Sequence, residues 1–436
     1  MDGNAISSLS WVPRGYAKEI PIRNSHYCMN DEDIERYINE HDIGDLELRS
    51  NDDIVEKFAE LGDLNSESID QYGDNFFHHV EKGIFSGNKD LYLKNIDLSD
   101  DDELNIRDSD SLLATTSIEN DTSTLQVYLY SIEDGSFYVH HDTLIGDYPL
   151  CSEWLTLGSF SSKNNLLAVG SFSGEINIWN LDCVDSIYPV STINAKRNKN
   201  DNGHSDAVMS LASHPRNSKI LASGSADKSL KIWDIIKNEC VNTYINCSNK
   251  VQCLNWHHTE NNIIITADYD RALQLIDIRD GKSSFKLVYE KEKGDPESIA
   301  VPESNIYCNG NSVIVSTENG YISGYDIRVL SANNKKDIFS VHGSLNMKPI
   351  TSICCTSIPN LLVSSGFDGV SKVWNLSSMT DPVFEKHLKG GKIFTSANCP
   401  DEDALIAFGG EFVILWNIAQ EEKVIKNFTF NRYNTH

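Results

Sequence analysis

The adjacent imidazoles and carboxylate of His140-His141-Asp142 come nearest in this chain to an acid–base or metal-binding cluster. Neighbouring residues of a strand point to opposite faces, so the two rings converge on one ion only across a bulge. The expectation is therefore a surface or sheet-edge position, with His140 and His141 as candidate partner-binding residues. Asp277-Ile278-Arg279 and Asp326-Ile327-Arg328 each place a guanidinium two residues after a carboxylate, at the end of a strand-like run. Such an arginine caps a neighbouring element through a bidentate pair, or it offers its planar fork to a partner. The chain contains no Gly-x-x-x-x-Gly-Lys-[Ser/Thr] loop, His-Glu-x-x-His pair or Gly-x-Ser-x-Gly elbow, so enzymatic readings have no motif to stand on. The ten cysteines form no Cys-x-x-Cys pair and mostly sit in strand-like runs, where free cysteine is a small hydrophobe. No cofactor, metal or small-molecule substrate is expected.

The elements that must position these groups are strands. The stretch Gly203 to Ile235 reads as strand, turn, strand, turn, strand: Ala207 to Ala212, a His214-Pro215 turn, Ile220 to Ser225, a tight turn, and Leu230 to Ile235. Its third-strand pattern recurs with a large residue at Tyr128, Trp179, Trp233, Ile276, Tyr325, Trp374 and Trp416, spaced 42 to 54 residues apart. The unit resembles a blade of a WD-repeat propeller, whose period is about 40–45 residues before loop insertions. The resemblance implies an all-β, seven-bladed WD-repeat β-propeller. It also assigns roles. His204 and Asp227 would be buried between strands and linked through Ser223 or Ser225 to the indole N–H of Trp233. His342, Asp368 and Trp374 would supply the same corners in a second complete unit.

The net charge of −27 is concentrated at the front, where residues 1–110 hold 27 acidic and 10 basic side chains. Such a field repels phosphate backbones on average, so nucleic acid would be met through a local basic patch or a partner protein. No apolar run approaches the roughly 18 residues a membrane helix needs, and the N-terminus lacks a secretory pattern. Ile6 to Val12 alternates and ends in a turn, as an inner strand does. The first blade, with strands at Leu112 to Ser117, Leu125 to Tyr130 and Phe137 to Leu144, has no obvious inner strand nearby. Either residues 1–20 supply it, leaving 21–110 as an acidic, partly helical insertion before a propeller at 111–430, or residues 1–110 form a loose tail and Leu91 to Ile96 fills the gap. Helices are expected at Asp31 to His41 and Asp52 to Leu61, and Phe76 and Phe77 are candidate anchors for a partner.

Two further stretches are similar to the periodic tryptophan protein family, in particular its nucleolar member. They are Trp11-Val12-Pro13-Arg14-Gly15-Tyr16, and Phe137-Tyr138-Val139-His140-His141-Asp142 running on to Tyr148-Pro149-Leu150 and Glu153-Trp154. That resemblance implies a scaffold in the nucleus and nucleolus that takes part in large ribosomal subunit assembly and pre-rRNA maturation, and the chain is expected to be monomeric. Its partners would be ribosome-assembly proteins and pre-rRNA, with no membrane. The chain departs from the family pattern in having only Ala195-Lys196-Arg197-Asn198-Lys199 where members often carry a long lysine tract. The paired Asp-x-Arg runs at Arg279 and Arg328 resemble instead the box by which substrate receptors dock on a cullin ubiquitin ligase adaptor. A chromatin-associated adaptor is a further alternative.

Overall fold

The repeated period-two alternation folds into seven antiparallel sheets in the computed structural model, which describes residues 4–22, 105–155, 165–184, 186–193, 203–245, 247–257, 259–279, 283–302, 311–330, 337–344 and 347–429. Blade 1 is built from residues 5–12 and 111–145, blade 2 from 149–193, blade 3 from 208–244, blade 4 from 251–288, blade 5 from 296–342, blade 6 from 352–387 and blade 7 from 395–417. Within each blade, strands pair in chain order; among the described residues blades 1–6 have four strands and blade 7 has three. All seven large residues read from the periodicity lie on third strands. By contacts the chain divides into a unit of residues 1–23 and 106–436 and a second of 24–105. The second unit lies outside the described residues, as do the expected helices and Phe76 and Phe77.

The first strand of each blade lies against the first strand of the next, and that of blade 7 lies against that of blade 1, so the ring closes. Hydroxyls stitch these inner strands together: Ser8 and Ser10 reach Ser152 at 2.8 and 2.9 Å, and Ser352 reaches Ser396 at 2.8 Å. The apolar core is divided among the seams. At the seam of blades 2 and 3, for example, Ile178 and Ile193 meet Leu211, Leu221 and Trp233. Each side chain buried there contributes on the order of 1.5–3 kcal/mol relative to exposure.

The inner strand of blade 1 is Ala5–Val12, paired with Ser111–Glu119 across roughly a hundred intervening residues. It occupies the place that an inner strand occupies elsewhere. A Cβ on Gly409 would fall 2.7 Å from Ile6, just as a Cβ on Gly170 would fall 2.8 Å from Val208 and one on Gly224 2.5 Å from Val251. Only glycine lets the neighbouring blade's inner strand approach this closely. Ile6 N–H also donates to the Gly410 carbonyl at 2.9 Å. After this strand, Ile22 bridges to Cys183 of blade 2, and Ile106 N–H donates to the Glu19 carbonyl at 2.9 Å. Glu19 and Ile106 thus lie side by side.

Candidate functional site

Blade 3 builds a relay of polar groups from its sequence corners. His204, in the loop before the inner strand, places Nδ1 2.9 Å from Asp227 Oδ2 and Nε2 2.6 Å from Ser223 Oγ. The Trp233 indole N–H donates to the same Ser223 oxygen at 2.7 Å. These distances fit a neutral imidazole carrying its proton on Nδ1: tryptophan donates to serine, serine to histidine, histidine to aspartate. Burial pushes the His204 pKa below its ordinary value, against the opposing pull of Asp227. Burial pushes Asp227 up, but hydrogen bonds from His204 and Ser229, with the charge His204 carries once acid protonates it, outweigh burial and hold the carboxyl well below the usual range. The order Ser, His, Asp is that of a nucleophilic triad, but Ser223 is 0% exposed and its oxygen already accepts the indole proton. A serine so enclosed is closed to a substrate carbonyl in this structure.

The second expected network is wired differently. Trp374 N–H donates to Ser364 at 2.8 Å, matching Trp233 and Ser223, but His342 takes no part. It lies on the exposed outer strand of blade 5, edge-on to Tyr321 with ring centres 4.8 Å apart. The order His342-Gly343 reverses the Gly203-His204 dipeptide, so the imidazole comes too early. Ser344 instead approaches Asp368 at 3.5 Å.

His140 and His141 also depart from expectation, because they are buried, at 8% and 9% exposure, rather than offered to a partner. Val127 pairs with His141 and Tyr128 with Val139, so His140 is the extra residue of a bulge. The bulge turns the two rings toward each other, with Nδ1 atoms 2.8 Å apart. One nitrogen donates and the other accepts. Burial, then the neighbouring His140, pushes the His141 pKa down to about 4. Among the described residues no group of three or more His, Cys, Asp or Glu side chains could hold a metal ion.

Residues 196–234, which include the blade 3 relay, match the family model described as WD domain, G-beta repeat. An uncharacterized WD repeat-containing protein of Schizosaccharomyces pombe is 31% identical, covering 97% of this chain and 90% of its own length. Periodic tryptophan protein 1 homolog of Drosophila melanogaster is 28% identical over 93% of this chain and 92% of its own. Periodic tryptophan protein 1 of Saccharomyces cerevisiae is 26% identical over 97% of this chain and 89% of its own. The chain belongs to the periodic tryptophan protein family of WD-repeat proteins.

The seven tryptophans of this periodic tryptophan protein fall in two sets. Trp179, Trp233, Trp374 and Trp416 stand on third strands and face the preceding blade. Trp11, Trp154 and Trp256 stand at the ends of inner strands, where Trp11 donates to the Ala397 carbonyl of blade 7 at 3.1 Å and Trp256 to the Ala212 carbonyl of blade 3 at 3.0 Å. The bridging role of Trp256 was missed in the sequence. Its signal was the recurrence of tryptophan at the end of an inner strand at positions 11, 154 and 256.

In both Asp-x-Arg runs the arginine pairs with the acid two residues before it. Arg279 reaches Asp277 at 2.5 Å and Arg328 reaches Asp326 at 2.8 Å, with side chains 67% and 56% exposed. A cavity of about 590 Å³ opens at the ends of the inner strands of blades 4–7, lined by Asn255, Val301, Cys355, Thr356, Asn398 and Pro400. Sequence reasoning had no access to it, because its walls come from four blades. The described cysteines are free, and burial raises the thiol pKa values of Cys354 and Cys355, which makes them poor nucleophiles.

Proposed function

We propose that this chain is a non-enzymatic scaffold of large ribosomal subunit assembly and pre-rRNA maturation in the nucleolus. It acts as a monomer and binds assembly proteins through the faces of its propeller. The observation that carries this reading is a closed ring whose Ser-His-Asp relay in blade 3 is sealed by Trp233, in a chain belonging to the periodic tryptophan family. Its triad-like residues are sealed from solvent, which supports a binding role over a catalytic one. The cavity at the inner-strand ends is of the size of an ordinary ligand site, and mixed polar and apolar walls suit a side chain or loop of a partner protein. No helix among the described residues is long and apolar enough to cross a membrane.

A second reading rests on the exposed guanidiniums of Arg279 and Arg328, which could dock a cullin ligase adaptor. Affinity purification of the tagged full chain, followed by mass spectrometry and gradient sedimentation, separates the two. Co-purification and co-sedimentation with large-subunit precursors supports the scaffold. A cullin adaptor recovered without them, and lost on Arg279→Ala with Arg328→Ala, would overturn it.

A further inference from the structure

At six of the seven seams, the outer strand of one blade sends an apolar side chain against the next. Ile145, Ile193, Tyr244, Leu287, Val341 and Phe384 do so in blades 1–6. Blade 7 has no fourth strand among the described residues. The consequence shows on blade 1. Trp179, Trp233, Ile276, Tyr325, Trp374 and Trp416 are each at most 3% exposed, whereas Tyr128, the residue at the same place facing blade 7, is only half-buried. Tyr128 stacks on Phe137 with ring centres 4.9 Å apart. Together with Tyr130, Val413 and Leu415, these rings form a partly covered apolar wall.

The backbone tells the same story. In blades 2, 5 and 6, the N–H just before the outer strand donates to the carbonyl just before the third-strand aromatic residue: Val190 to Ile178 at 2.8 Å, Ile338 to Gly324 at 2.7 Å and Val383 to Val373 at 2.8 Å. The corresponding carbonyl in blade 7 is that of Leu415, on the edge strand Val413–Asn417. An edge strand beside an apolar wall is a template for another strand. The rim is acidic on balance: Glu411 precedes the edge strand, and beside Tyr130 the two carboxylates Asp401 and Glu402 share Arg14, which gives its backbone N–H to Asp401 at 2.9 Å and its guanidinium to Glu402 at 3.1 Å.

We propose that this edge takes up an extended cationic segment of a partner protein as an antiparallel fourth strand. Alternate apolar side chains of that segment cover Tyr128, Tyr130 and Phe137, and its lysines or arginines meet the acidic rim. The proposal goes beyond the scaffold reading and does not depend on it, since its test needs only the purified chain and a peptide.

The probe is a labelled peptide of alternating lysine and valine, titrated into the full-length chain by fluorescence anisotropy, with amide exchange followed at residues 413–417. Saturable binding is expected, with slowed exchange in that segment. The same peptide N-methylated at alternate residues keeps its side chains and charge but loses its backbone donors, and its affinity should fall by at least ~tenfold. Tyr130→Arg should weaken the unmethylated peptide similarly, with the melting temperature as a control for folding. Equal affinity of both peptides, binding without protection of residues 413–417, or no binding would overturn the proposal. Protection already present in the free chain and lost on removing residues 430–436 would also overturn it, by assigning the edge to the chain itself.

Discussion

Blades 3 and 2 share a fold and differ in wiring. Each has four antiparallel strands, a tryptophan on the third strand and a packed cluster at each seam. In blade 3 the indole N–H of Trp233 ends on Ser223, in a relay that runs through His204 to Asp227. In blade 2 the place of that serine is taken by Val169, and the Trp179 N–H, at 3% exposure, has no acceptor among the described residues. Blade 2 folds nonetheless. The shape of a blade therefore follows from apolar alternation and the seam clusters, while the relay adds local stability and holds the turn.

The largest effect should come from emptying the better-wired seam. Trp233→Ala should lower stability by about 3–5 kcal/mol, since it opens a cavity and strips Ser223 of its donor. A melting shift below a degree would break the comparison at its root.

Acid should separate the blades next. The folded pKa of His204 is lowered by burial, so below about pH 6.5 the unfolded chain binds the extra proton and the folded one resists it. Stability contributed by this group is present at neutral pH and is lost as pH falls. The depressed Asp227 adds to the loss only in stronger acid, as pH drops below its unfolded value near 4. Between pH 6.5 and 5, protection factors from amide exchange should fall in blade 3 and hold in blade 2, which has no histidine. Blade 1 should weaken through His141, whose window runs from about 6.5 down to about 4. Parallel loss in blades 2 and 3 would contradict the assignment.

A finer contrast comes from phenylalanine. Trp233→Phe leaves Ser223 short of a donor, while Trp179→Phe removes a buried donor that had no acceptor, so the first should cost roughly 1–2 kcal/mol more in chemical denaturation. Equal costs would show that the indole N–H is irrelevant to both blades. The smallest effect is a coupling: Val169→Ser should give Trp179 an acceptor, so a double-mutant cycle with Trp179→Phe should return an interaction of about 1 kcal/mol.

Much of the fold was legible because it is local. Alternation around Leu230 to Ile235 and its six echoes depends on which face of a strand is buried, and each echo became a third strand in the structure. The blade 3 relay was legible down to a choice between Ser223 and Ser225, which the 2.7 Å bond from Trp233 decides. His342 misled, since a match of residue types ignored that reversing a dipeptide moves its side chain by a register step. His140 and His141 misled for the opposite reason: a bulge is visible only in how two strands pair, and the expectation treated one strand alone.

By itself the sequence determined the strand period, the number of blades and the residues able to form a relay, because these rest on contacts between near neighbours in the chain. Tertiary structure alone decided how the ring closes. Ala5–Val12 meets blade 7 through the Ile6 bond to Gly410 and the Trp11 bond to Ala397. Those partners lie some four hundred residues away, and no local pattern encodes a pairing at that distance. It was also the closed ring that gathered four inner-strand ends around one cavity and left the edge of Val413–Asn417 beside Tyr128. Each of these depends on which surfaces of distant segments pack together, and packing is a property of the assembled ring.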